Sequence, residues 1–297
     1  MISTIISTMR PNFLILAPLC VSVAWAYAFS IGMAAHWLDV ALCYAAALMA
    51  HASVNMLNEY SDHHSGLDHN TQRTPFSGGS GALQVQPEAS SWVKLIALVL
   101  LVVVACIGLY FFWLVGLELM AIGLLAIACV MLYTPTLNKS SLLCFIAPGF
   151  GFAVAFGYGS FIAISGRYDI TMLYLCVPVF LLVNNLLLLN QFPDREADAQ
   201  SGRNHLIIKY GERAGLLAYI ANVFTAGVAT VWLVNTFSLG WAGALLAIPI
   251  GAGLLSCVGL VNYIKDKNTP RFMPYMASNV IAALSYPALL CVVLLLS

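Results

Sequence analysis

The chain has 297 residues, 61% of them hydrophobic and 8% charged, with 12 basic and 12 acidic residues that cancel. An average soluble domain carries about 25% charged residues, so this composition all but excludes a soluble enzyme, a disordered chain or a nucleic-acid binder. A mean hydropathy of +0.91 places the bulk of the chain in a bilayer.

A helix needs about 20 apolar residues to cross a bilayer. Nine runs qualify in chain order: Pro11 to Gly32, Leu38 to Asn58, Trp92 to Leu114, Leu117 to Tyr133, Leu142 to Ile164, Thr171 to Gln191, Gly215 to Asn235, Leu239 to Ile264 and Pro274 to Leu296. Only helices satisfy their own backbone over such lengths in lipid. The expected fold is therefore all-α, a multipass membrane bundle of about nine transmembrane helices. The break at Gly116 is the shortest connection. The first run is too long for a signal-peptide core and has no clear cleavage site. The eight cysteines lie in apolar runs without metal spacing and read as packing residues.

Two connections are long and polar, Glu59 to Ser91 and Phe192 to Ala214. Together they hold eight of the twelve acids, namely Glu59, Asp62, Asp68, Glu88, Asp194, Glu196, Asp198 and Glu212. With nine spans, Arg10, Arg73, Lys94, Lys139, Arg195, Arg203, Lys209, Arg213, Lys265, Lys267 and Arg271 fall on one side, and Arg167 alone on the other. By the positive-inside rule, the N-terminus and both acidic connections face the cytoplasm and the C-terminus lies outside.

Asn58 and Asp62 recur as Asn190 and Asp194, each 132 residues on, with four spans between. Equal orientation of the two copies suggests two parallel pseudo-repeats, about 1–140 and 141–297, within one domain. On a helix, residues four apart share a face. Asn58 thus aligns with Asp62, and Asn190 with Asp194 and Asp198. Asp68 needs a bend, which Gly66 permits. Carboxylates clustered at a membrane surface repel unless a cation joins them. Mg²⁺ suits them, being hard, oxygen-seeking and usually shared with substrate phosphates. Arg73, Lys139, Arg203 and Lys209 are placed to neutralise the remaining phosphate charge. The Gly-rich run Ser77 to Gly81 offers backbone N–H groups, although a flexible loop explains it as well.

This pattern resembles the UbiA superfamily of intramembrane aromatic prenyltransferases. Asn58, Asp62, Gly66 and Asp68 match its first motif, and Asp194 and Asp198 its DxxxD motif, flanked by Asn190 and Gly202-Arg203. The runs RTPFSGGSG and NQFPDREAD are most similar to the 1,4-dihydroxy-2-naphthoate polyprenyltransferase branch of menaquinone synthesis. There are three departures. Glu59 stands where Asp is usual, the Tyr133 to Lys139 spacing is altered, and Leu142-Leu143-Cys144-Phe145 replaces a Gly-Glu pair.

The resemblance implies an Mg²⁺-dependent transferase in which Asp62, Asp68, Asp194 and Asp198 hold the metal with Asn58 as helper. Arg73, Lys139, Arg203, Asn190 and Tyr133 would bind the diphosphate of a polyprenyl donor, and an aromatic ring would be the acceptor. The implied location is the inner, or plasma, membrane. Other acceptors remain open: 4-hydroxybenzoate, homogentisate, a chlorophyllide or a glyceryl phosphate lipid. A cation-coupled transporter is a remote alternative, because its ionisable residues would sit near mid-membrane. His63, His64 and His69 read as surface loop residues. Asn184 and Asn185, in mid-span, read as partners in interhelical hydrogen bonds.

Overall fold

The computed structural model describes residues 1–67 and 73–296. Eight helices are long and apolar enough to span a membrane, and a shorter apolar helix completes a set of nine among the described residues. In order they are α1 (Pro11–Ser30), α2 (Trp37–Ser65), α3 (Pro87–Val115), α4 (Leu117–Leu132), α5 (Ser141–Ser165), α6 (Ile170–Gln200), α7 (Glu212–Thr236), α8 (Trp241–Asp266) and α9 (Thr269–Leu296). Each matches one predicted span. Gly116 alone joins α3 to α4, with φ +114, a conformation that disfavours any side chain.

Each helix packs on the next and α9 returns to α1, so the bundle closes into a ring, with α6 also lying against α9. Polar sequence does not end the helices where hydropathy does. Helix α2 runs 29 residues, through Asn58 and Asp62, until Gly66 caps it at φ +76. Helix α6 runs 31 residues, through Asp194 and Asp198. At 1.5 Å per residue these helices reach about 44 and 46 Å, against a hydrocarbon core of about 30 Å. The two predicted acidic connections are thus partly helix. Their carboxylates ride on final turns that project past the apolar slab.

The wall between α2 and α6 is less regular. In α5, Pro148 interrupts the helix and residues Phe150–Tyr158 widen into a π-helix. Such segments occur mostly beside functional sites. This one faces a cavity of about 530 Å³ enclosed mainly by α2 to α6.

Candidate active site

The cavity opens between the projecting ends of α2 and α6. Asn58, Asp62, Asn190, Asp194, Asp198, Arg203 and Tyr133 line it. Asp68 lies outside the described residues. Arg73 and Lys139 are exposed and do not line the cavity.

The Arg203 guanidinium joins the two motifs. It pairs with Asp62 on α2 and, at 2.8 Å, with Oδ1 of Asp198 on α6. Burial by itself would lower the Arg203 pKa, but Asp62 and then Asp198 outweigh it and raise it above the ordinary value. Asn58 donates to Asp62 at 2.9 Å and accepts from Thr134 at 3.1 Å, so the α2 carboxylate is held from the α4–α5 connection as well. Asp194 accepts from the Ser77 hydroxyl at 3.3 Å, and Asn190 donates to the Phe76 carbonyl at 3.1 Å. The segment 74–81 is therefore laid across α6 beside the carboxylates.

Glu59 fixes that segment from the other side. Although it is buried, its carboxylate accepts from the Ser80 backbone N–H at 2.6 Å and the Ser80 hydroxyl at 2.7 Å. Gly78, Gly79 and Gly81 all adopt positive φ, which lets the backbone turn its N–H toward an anion. The anion cradled at Ser80 is the protein's own Glu59. The departure from the usual Asp thus has a structural consequence, a longer arm that reaches the loop. The Arg73 guanidinium lies close against Gly81, where an added Cβ would meet it at 2.0 Å.

Three further residues were not singled out from sequence. Arg10 lines the cavity ahead of α1 at φ +55 and stands over the Phe13 ring. His51, one of the few polar residues deep in the cavity wall, packs edge-on against Phe152 at 4.7 Å. His205, 1% exposed, places Nε2 3.1 Å from Oδ2 of Asp198. Arg10 carried a readable signal, as a lone cation at the head of an apolar run. His51 and His205 carried none, because a single imidazole in sequence has no geometry.

Chemically, the site offers hard carboxylate and amide oxygens around a bound cationic group, at the mouth of an apolar chamber. No three His, Cys, Asp or Glu among the described residues converge closely enough to form a closed metal cage. A small hard divalent ion binds through one or two carboxylates and completes its shell with substrate phosphates and water. The cavity also has length. Cys43 and Asp62 both line it, and the 19 steps between them on α2 rise about 28 Å.

Residues 19–281 match the model of the UbiA prenyltransferase family. No curated protein sequence matches the chain. Solved structures similar to it include one from work on digeranylgeranylglyceryl phosphate synthase in membranes, with 17% identity over 99% of this chain and 98% of that one and a TM-score of 0.67. A UbiA homologue from Archaeoglobus fulgidus bound to DMAPP and Mg²⁺ shares 16% identity over 96% and 99% of the two chains, with a TM-score of 0.65. An apo UbiA homologue from Aeropyrum pernix K1 shares 14% over 95% and 96%, with a TM-score of 0.66. At these identities the likeness is one of fold.

Proposed function

This chain belongs to the UbiA prenyltransferase family, and from that premise we propose that it transfers a polyprenyl group from an allylic diphosphate to an aromatic acceptor, in lipoquinone and specifically menaquinone synthesis. One observation carries the reading: Asp62 and Asp198, from two distant helices, close on one cationic group at the mouth of an apolar cavity. In the proposed reaction Asp62, Asp194 and Asp198 hold Mg²⁺, with Asn58 steadying Asp62 and Asp68 completing the set. The structural neighbour bound to DMAPP and Mg²⁺ supports this donor and ion. Bound Mg²⁺ would supply charge stabilisation for the departing diphosphate.

The chain's own residues do the rest. Arg203 now pairs with two of these carboxylates, and with Mg²⁺ neutralising them its planar fork would be available to phosphate oxygens. Tyr133 and Asn190 present donors on the same rim, while Arg73 and Lys139, exposed beside it, attract the diphosphate at longer range. The apolar tail lies down the cavity past the π-helical wall of α5, which excludes water from the allylic carbon. The C1–O bond breaks with its electron pair leaving on diphosphate. A nucleophilic ring carbon then forms the new C–C bond, and the ring regains aromaticity by losing a proton to solvent, or by losing CO₂ where the naphthoate carboxylate is displaced. The charged rim, with its eleven basic residues, faces the cytoplasm in this reading. The parallel Asn/Asp motifs of α2 and α6 support reading the two halves of the chain, about 1–140 and 141–297, as pseudo-repeats.

The test is an acceptor panel with purified protein, Mg²⁺ and a polyprenyl diphosphate. The panel contains 1,4-dihydroxy-2-naphthoate, 4-hydroxybenzoate, homogentisate, a chlorophyllide and a glyceryl phosphate lipid, with product mass as readout. Prenylated naphthoate is expected. Transfer to another acceptor would reassign the pathway, and transfer that survives EDTA would overturn the metal site.

A further inference from the structure

The turn that follows α6 holds Asp198 from several sides. The Ser201 hydroxyl and the Arg203 backbone N–H both donate to the Asp198 carbonyl, at 2.8 and 3.1 Å. Gly202 takes φ +80 to reverse the chain, and the Asn204 N–H is tied to the Asn138 carbonyl at 3.0 Å. The turn is thereby pinned to α6 and to the α4–α5 connection. It delivers two side chains to one carboxylate, Arg203 to Oδ1 and His205 to Oδ2.

An ionised carboxylate only accepts hydrogen bonds, so Nε2 of His205 must be the donor. His205 is almost wholly buried, and its Nδ1 has no hydrogen-bond partner among the described residues. Nothing in these contacts makes the ring a solvent-facing or loop-stabilising group. Its one polar contact in the described structure is Oδ2 of Asp198, the oxygen that the Arg203 guanidinium does not take. Rotation of the carboxylate would break the bond to Oδ2, so His205 holds Oδ1 on the guanidinium that also pairs with Asp62.

We propose that His205 is a positioning residue that presets Asp198 as a one-oxygen cation ligand, acting through the Nε2–H···Oδ2 bond. This rests on the reading of Asp198 as an Mg²⁺ ligand. Outer partners of metal-binding carboxylates typically govern 10- to 100-fold in metal affinity.

The experiment compares wild-type protein with His205→Gln, whose amide N–H reaches about as far as Nε2, and with His205→Asn, which is polar but too short. Mg²⁺ is titrated against the full chain without donor, and the half-saturating concentration is read from the shift in unfolding temperature. The same concentration is then read from turnover. His205→Asn is expected to raise both values about 10- to 100-fold, with a smaller change in kcat at saturating Mg²⁺. His205→Gln is expected to stay within about threefold of wild type. A His205→Asn protein with wild-type Mg²⁺ dependence, or a Gln variant as impaired as Asn, overturns the role of His205. A wild-type protein whose unfolding ignores Mg²⁺ overturns the cation reading of the site itself, which is a separate result.

Discussion

On the α6–α7–α9 side of the bundle, four polar residues satisfy one another. Asn222 donates to Asn185 at 2.8 Å, Asn185 to the Tyr219 carbonyl at 3.0 Å, Tyr219 to Asn279 at 2.7 Å, and Asn279 to the Asn185 carbonyl at 3.0 Å. The circuit closes on three helices and uses only neutral groups. On the α2–α6 side, Asp62 and Asp198 meet on the guanidinium of Arg203, and the buried Asn190 Oδ1 has no hydrogen-bond partner among the described residues. Both sets of side chains face the same cost of burying polarity in an apolar setting. The seam meets that cost within itself and has nothing left to offer a ligand. The site meets it through one cationic group, which under the proposed function a metal ion and a diphosphate would replace.

The sharpest way to break this contrast is at the carboxylates. Asp62→Ala or Asp194→Ala is expected to lower turnover by at least about 10²- to 10³-fold, the scale seen when an electrostatic stabiliser is removed. The unfolding temperature should move little for Asp194→Ala, which stands outside the Arg203 pairing, and fall further for Asp62→Ala, which removes one arm of that buried ion pair. Product mass and a thermal melt measure both. A large loss of stability with modest loss of turnover would make the site a second structural seam. EDTA is expected to reproduce the kinetic loss in wild-type protein.

A smaller effect is expected at Glu59. Its Ser80 contacts set the loop that carries Ser77 to Asp194. Glu59→Ala should raise the KM for the diphosphate donor about tenfold, the scale of the 1.5–3 kcal/mol that hydrogen bonds to a charged group contribute. It should also open the 74–81 segment to limited proteolysis. Glu59→Asp, one methylene shorter, should fall between. Unchanged proteolysis in Glu59→Ala would show that the loop holds itself.

Much of this was legible in the sequence, for identifiable reasons. Hydropathy counts residues in lipid, so nine runs gave nine helices, including the one-residue break at Gly116. Helical phase placed Asn58 with Asp62 and Asn190 with Asp198, because four-residue spacing is local. Gly66 was readable as a bend, and α2 ends on it. Hydropathy also placed the ends of α2 and α6 too early, because backbone hydrogen bonds continue into polar sequence when a neighbouring helix supports them. The pairing of Arg203 with Asp62 spans 141 residues, and Glu59 with Ser80 depends on a loop path that no periodicity encodes. The expectation that the Gly-rich run presents its N–H groups to phosphate meets a competitor at Ser80, since Glu59 occupies that donor.

The finest test lies between two adjacent residues. Asn184 and Asn185 are both buried in the middle of α6, and sequence treated them alike. The structure turns them to opposite sides of the comparison. Asn185 belongs to the seam, so Asn185→Leu should cost about 0.6–1.7 kcal/mol, the range for interhelical hydrogen bonds in membranes, and leave donor KM and Mg²⁺ dependence unchanged. Asn184 instead accepts from the Gly149 N–H at 2.6 Å, directly before the chain widens into the π-helix whose Phe152 and Phe156 line the cavity. The fit is close, since a Cβ on Gly149 would sit 2.7 Å from both Asn184 Oδ1 and the Phe180 carbonyl. Asn184→Leu removes the acceptor that holds this junction. The expected result is a thermal loss of similar or smaller size and a change of a few fold in the KM for the polyprenyl donor, read by steady-state kinetics, with Mg²⁺ dependence unchanged. If the two leucine variants behave identically, the π-helical wall is fixed by its own packing and α6 contributes structure on both faces. If they separate, one helix carries the seam on one face and the shape of the cavity on the other.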